Sequence, residues 1–308
     1  MKKQLFFQSA VVSTILSYLL IFVGALALVS GSGMGCPAWP RCFGRWIPPT
    51  SVDQIPSYID PTAFNIVLAW IEYSNRSLGV LVGLSIIVLN IIAIYYFRKE
   101  TKLLISAILS LILVVANGGL GAIVVSSILN PFLVSLHMIL ALMLVSVLSY
   151  ACIESYKLIH EDKFKNLQGS RALSNSLILF WLLIFIEILL GTGIRTNLEL
   201  ISIDNPLLSK GELLNALDSY KYFHSFLGFT LLFLSIYIYA KLKNHNLFIA
   251  KFLGIFILGM IIVQIFLGEM MVFFELPQLT RLFHTWGSSW LVGIIIILYN
   301  CISNERSK

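Results

Sequence analysis

The sequence predicts an all-α polytopic membrane protein in which eight transmembrane helices form two tandem, pseudo-symmetric four-helix bundles. Three observations carry that prediction. Of 308 residues, 58% are hydrophobic and 12% charged, with a mean hydropathy of +0.90, too little polar surface for a soluble domain of this length. Apolar windows of about 20 residues, the length that crosses a hydrocarbon core, recur from end to end and leave no room for a large soluble domain between them. Short motifs in the first half also reappear in the second at a near-constant offset.

The first span, residues 6–30, follows Met-Lys-Lys, as a signal peptide would. Its apolar run exceeds the usual hydrophobic region of such a peptide and no Ala-x-Ala exit follows, so it is expected to remain as a helix. The other seven spans are expected at 68–97, 103–126, 131–154, 173–194, 220–241, 249–273 and 278–301, the fourth and eighth opened by Pro131 and Pro277. An even number of spans puts both termini on one side. The net charge of +6 is distributed by topology: Lys2, Lys3, Arg98, Lys99, Lys102, Lys157, Lys163, Lys165, Arg171, Lys241, Lys243, Lys251, Arg306 and Lys308 fall on one side. The opposite loops hold only Arg41, Arg45, Arg195, Lys210, Lys221 and Arg281. This asymmetry predicts cytoplasmic termini and excludes a nucleic-acid-binding patch as the meaning of the positive charge.

Internal repetition organises the spans. Ile21-Phe22-Val23-Gly24-Ala25 resembles Ile188-Leu189-Leu190-Gly191-Thr192, which pairs span 1 with span 5. Leu120-Gly121-Ala122 and Leu267-Gly268-Glu269 stand 147 positions apart, and His137 and His284 differ by the same 147. Two four-helix units are therefore expected, 1–165 and 166–308. Equal orientation of the two halves, with no span broken at its middle, argues against an inverted-repeat transporter.

Five histidines divide into two groups. His160 and His245 lie in charged loops and read as solvated polar residues. His137, His224 and His284 lie within apolar spans, where an ionisable side chain is expensive and turns to the bundle interior. All three fall early in spans running from outside to inside, at about 9 Å from the helix start. His224 and His284 are thus expected to face each other at one level, the arrangement of a bis-imidazole haem site. A closed tetrahedral metal site needs four ligands and fits less well. In the first half the repeat brings Asn75 to the register of His224. A carboxamide is a poor axial ligand, so His137 is the one strong ligand expected there, and the second coordination position is left open for substrate or oxygen species.

Glu72 and Arg76 flank Asn75 and, four residues apart, share one helix face. They read either as an internal ion pair or as a carboxylate that moves protons or orients substrate, with Arg76 beside it. Arg76, Arg195 and Arg281 lie near the outer boundary. There, guanidinium groups suit either haem propionates or the interfacial anchoring of helices. The first outer loop, Gly31-Ser32-Gly33-Met34-Gly35-Cys36-Pro37-Ala38-Trp39-Pro40-Arg41-Cys42-Phe43-Gly44, carries two cysteines on the predicted oxidising side. A disulfide is expected, as a structural staple or as a redox-active pair. Cys152 and Cys301, near the inner ends of spans, read as packing residues.

These residues resemble the haem A synthases, the bacterial and mitochondrial proteins that make the haem of cytochrome oxidase. The most specific element is the Gly-Ser-Gly-x-Gly-Cys loop with Trp39-Pro40-x-Cys42-x-Gly44. Next come Glu72 in span 2 and the histidines of spans 4, 6 and 8. The resemblance implies a plasma-membrane protein whose second half binds haem b through His224 and His284. It implies that the first half takes haem O as substrate and oxidises its C8 methyl to the formyl of haem A, by two hydroxylations and a dehydration. By the same resemblance Cys36 and Cys42 form the outer disulfide, His137 is a ligand in the substrate half and Glu72 is its acidic residue. A haem O synthase and cytochrome oxidase subunits are the implied partners, with an oligomer compatible. The chain departs from the family pattern at Asn75, where the motif has His before Arg, and at Ser225, where an Arg commonly follows the histidine. The second half also lacks the outer cysteine pair of some members. The other class compatible with these departures is a non-catalytic haem-binding protein for electron transfer or oxidase assembly.

Overall fold

A computed structural model of the chain describes residues 1–57, 59–164, 170–217, 219–245 and 247–302. Eight long apolar helices dominate it: α1 Lys2–Ser30, α2 Ile66–Tyr96, α3 Thr101–Ser126, α4 Pro131–Ile159, α5 Arg171–Asp204, α6 Tyr220–Leu242, α7 Phe248–Phe273 and α8 Gln278–Ile302. Each is long and apolar enough to cross a bilayer, which makes the chain a multi-pass membrane protein. No strand occurs among the described residues. Lys165 of the predicted basic loop, the boundary expected between 165 and 166, and the basic residues Arg306 and Lys308 lie outside the described residues.

The predicted spans match these helices within a few residues, except at two ends. Helix α4 continues to Ile159, and α5 runs to Asp204, ten residues past its expected end at 194. The segment Thr196–Asp204 contains no Gly or Pro, and the first breaker is Pro206, so nothing local stops the helix where its apolar run stops. Side-chain caps fix other boundaries: Asn65 accepts from the amides of Val67 and Leu68 at the start of α2, and Asn130 accepts from those of Phe132 and Leu133 at the start of α4.

The chain forms two compact units, Gln8–Leu148 and a second made of Met1–Phe7 with Ser149–Lys308. In the second unit α5 packs on α6, α6 on α7, α7 on α8 and α8 on α5, a closed four-helix ring. At its edge Lys3 donates to the carbonyl of Leu158 and pairs with Glu161 at 3.0 Å. In the first unit α2 packs on α3 and on the 3-10 turn Ser32–Met34 of the outer loop.

Each unit also contains the same tight hairpin connection. Ile128 and Leu129 between α3 and α4 both adopt positive φ, as do Glu275 and Leu276 between α7 and α8. Four non-glycine residues in the left-handed region cost about 1–2 kcal/mol each. Their recurrence 147 positions apart shows the same reversal of direction built twice in the chain.

Candidate functional site

In the first unit, α2 carries Glu72, Asn75 and Arg76 in its second and third turns. Glu72 is buried, and its Oε1 accepts from Arg76 Nε at 2.9 Å, so the ion pair anticipated from their spacing is present. The rest of the Arg76 guanidinium serves the loop between α1 and α2: Nη1 donates to the carbonyl of Ala38 at 2.7 Å and Nη2 to that of Cys36 at 2.9 Å. One guanidinium therefore ties the buried carboxylate to the loop, a fork geometry that lysine cannot reproduce.

The loop itself is closed by the Cys36–Cys42 disulfide. Both cysteines are buried with Phe43 and Ala69, and Cys36 Sγ lies 3.5 Å from the Ala69 carbonyl. Gly35 is required at the crossing, because a Cβ there would collide with the Leu68 backbone. The turn thus lies directly on the first turn of α2, and burial keeps the disulfide from an attacking thiolate, as suits a staple. Cys152 and Cys301 are buried and form no disulfide among the described residues, in line with a packing role.

Four glycines mark where the polar residues sit. A Cβ on Gly24 of α1 would stand 3.6 Å from Asn75 Oδ1, and one on Gly121 of α3 would stand 3.3 Å from the His137 ring. In the second unit a Cβ on Gly191 of α5 would stand 3.3 Å from His224 Cε1, and one on Gly268 of α7 would stand 3.7 Å from His284 Cε1. Every even-numbered helix thus lays its polar side chain against a glycine of the preceding helix, tightly at Gly121 and Gly191 and at ordinary contact distance at Gly24 and Gly268. Asn75 takes in its unit the place His224 takes in the other.

His224 and His284 meet inside the second unit, their ring centres 6.3 Å apart and their planes inclined at 69°. The Nδ1 atom of each lies near a protein oxygen: His284 Nδ1 is in hydrogen-bond contact with the Gln264 carbonyl at 3.1 Å, and His224 Nδ1 stands 3.1 Å from Glu187 Oε1 without hydrogen-bond geometry. In the first unit Asn117, 147 positions before Gln264, presents its backbone to the His137 ring. With the Nδ1 of His284 engaged by a carbonyl, its Nε2 is the nitrogen left for a metal. Arg281, one turn before His284, has a buried Nε that meets no hydrogen-bond partner among the described residues. Arg195 lies on the extended part of α5 and pairs with Glu199 at 3.0 Å.

Glu187 and Gln264 are absent from the sequence-level site. Glu187 was legible in principle as a lone acid in an apolar span, one turn before the repeated Gly191. The role of Gln264 rests on its backbone carbonyl, which any residue would supply, so no side-chain signal marked it. His160 and His245 stay apart from this site: His160 Nδ1 lies 3.2 Å from the Tyr156 carbonyl, and His245 Nδ1 accepts from the Leu247 amide.

A haem fits the donor set of the second unit. Two imidazoles sharing one metal through bonds of about 2 Å place their ring centres roughly 6 Å apart, and the unsatisfied Arg281 Nε is a donor suited to a carboxylate.

The comparisons with known proteins agree in kind. The cytochrome oxidase assembly protein family COX15-CtaA matches residues 8–296. A relative from Geobacillus thermodenitrificans named "Heme A synthase" is 29% identical over 136 residues, 44% of this chain and 38% of its own length. Another of that name from Listeria monocytogenes serotype 4a (strain HCC23) is 27% identical over 140 residues, 46% of this chain and 41% of its own. A third, from Geobacillus kaustophilus (strain HTA426), is 27% identical over 137 residues, 44% and 38% of the two chains. The chain spans about two fifths of the length of the curated relatives it matches. With the family match running through nearly all of its helices, the chain belongs to the COX15-CtaA family of cytochrome oxidase assembly proteins.

Proposed function

We propose that the chain is a haem A synthase: it oxidises the C8 methyl of haem O to the formyl of haem A by two successive hydroxylations and a dehydration. The observation that carries this reading is the pair His224 and His284, 6.3 Å apart between ring centres with both Nδ1 atoms facing protein oxygens. Membership of the assembly family and relatives named "Heme A synthase" support it.

On this reading residues 166–308 hold haem b through Nε2 of His224 and His284, with Arg281 offering its free guanidinium edge to a propionate. Bound there, haem b supplies one-electron redox chemistry. Residues 1–165 take haem O as substrate. His137 is the imidazole on its iron, and Asn75, at the opposite register, leaves the other face open because a carboxamide binds iron weakly. Glu72 is the acidic group beside that face. Held by Arg76 at 2.9 Å, it is fixed in position for accepting or handing on a proton. The disulfide loop caps this unit on the outer side, with both termini cytoplasmic as the basic loops require.

Expression alongside a haem O synthase, followed by chromatography of the extracted haems, tests the proposal. Haem A or its hydroxylated precursor is the expected product. Their joint absence, with one haem retained per chain, refutes synthase activity and leaves a haem-binding electron-transfer or assembly protein.

A further inference from the structure

We infer that Glu187 is a positioning residue for His224, its Oε1 standing 3.1 Å from Nδ1 so as to aim Nε2 and strengthen it as a ligand; this rests on the haem reading of the second unit. The inference comes from how α5 and α6 cross. On α5, Glu187 and Gly191 are one turn apart; on α6, His224 and Gly228 are one turn apart. Gly191 faces the His224 ring, and a Cβ on Gly228 would stand 3.3 Å from Glu187 Oε1. Each glycine admits the polar side chain of the other helix. The two side chains then meet on the diagonal, with Glu187 Oε1 3.1 Å from His224 Nδ1.

The first unit lacks this device. Position 20, equivalent to Glu187 by the Gly24 and Gly191 register, is Leu20, and position 75 is Asn75. Gly79, equivalent to Gly228, accordingly faces open space. Glycine is thus present at both crossings, but the carboxylate occurs only where there is an imidazole for it to hold. A carboxylate at membrane depth is costly without a partner, and the Oε2 atom of Glu187 has none among the described residues. The contact with His224 is what justifies its position. The two ligands of the second unit therefore differ: a side-chain carboxyl backs His224, and a backbone carbonyl backs His284. Partners of this kind raise ligand basicity, and their loss typically weakens metal binding by about 10- to 100-fold.

The test compares wild-type protein, Glu187→Leu, Glu187→Gln and His224→Ala by haem titration of the full-length chain in detergent. The midpoint potential of the low-spin haem is read alongside. Glu187→Leu is expected to bind haem about 10- to 100-fold more weakly and to raise the potential of whatever haem it retains. Glu187→Gln keeps an acceptor oxygen and is expected to recover most of the affinity, which a loss of folding would not predict. Wild-type affinity and potential in Glu187→Leu, while His224→Ala loses the haem, overturn the role of Glu187 alone. A wild-type chain that binds no haem, or His224→Ala with unchanged binding, overturns the haem reading beneath it.

Discussion

At one register the two halves carry the same scaffold and opposite chemistry. In the second, His224 lies against Gly191 and beside Glu187; in the first, Asn75 lies against Gly24, with Leu20 where the carboxyl would be. At the neighbouring register they agree, for His137 lies against Gly121 as His284 lies against Gly268. The connections that precede α2 and α6 differ as well. The first is closed by the Cys36–Cys42 disulfide and clamped by Arg76. The second has Ser225 at the corresponding position, and its short helix Lys210–Ala216 is held by a reciprocal capping box between Ser209 and Glu212. The helices and their glycines thus frame the same position in both halves, and α2 and α6 fill it with a carboxamide and an imidazole respectively. On the proposed reading, that difference separates a half that keeps its haem from a half that reacts with one.

The largest effect is expected from His224→Ala combined with His284→Ala. The Soret absorption of haem b should vanish from purified protein, whereas His137→Ala should leave it in place. Retention of the band in the double variant breaks the comparison at its root. Asn75→His is the converse experiment: it should convert the substrate haem to a bis-imidazole spectrum like that of the second half and slow turnover by closing the open face. An unchanged spectrum in loaded protein places Asn75 away from the iron.

A smaller effect is expected from Arg76→Leu, which strands the buried Glu72 carboxylate and two loop carbonyls. Unpairing a buried charge costs about 3–5 kcal/mol, readable as a lowered unfolding midpoint, and adding Glu72→Gln should recover part of it. Ser225→Ala, at the equivalent place in the second half, should stay within about 0.5 kcal/mol.

The smallest effect concerns pH. Hydrogen bonds from the Ser209 hydroxyl and amide hold the Glu212 carboxyl below its ordinary value. A carboxyl depressed in the folded state stabilises at neutral pH, and that contribution fades as pH falls through the acid range. Hydrogen exchange at the amides of Glu212 and Leu213 should therefore quicken on acidification, while the turn closed by the disulfide, whose linkage does not titrate, should change less.

Much of this was legible from residues alone, for reasons that differ from feature to feature. The eight spans follow from composition, since a bilayer demands long unbroken apolar helices and tolerates no other exposed backbone. His137, His224 and His284 stood out because ionisable groups are rare at membrane depth, and the repeat set Asn75 against His224 before any geometry was known. The end of α5 was misplaced because hydropathy marks where the lipid stops and says nothing about where a helix stops. The role of Arg76 was half legible: its spacing announced the pair with Glu72, but its donations to Ala38 and Cys36 join positions about 40 residues apart, and no local pattern encodes that.

The sequence by itself determined the solvent, the number of long apolar helices and the register of the two halves, because each depends on the chemistry of single residues and their periodic spacing. Only the tertiary structure decided which donors meet: the 6.3 Å between imidazoles, the carboxyl behind one of them and the guanidinium shared between Glu72 and the outer turn. Those distances depend on how closely two helices approach, and at Gly121 and Gly191, where a Cβ would stand 3.3 Å from an imidazole, that approach leaves little room for a side chain. A missing Cβ acquires meaning only when another helix comes to lie against it.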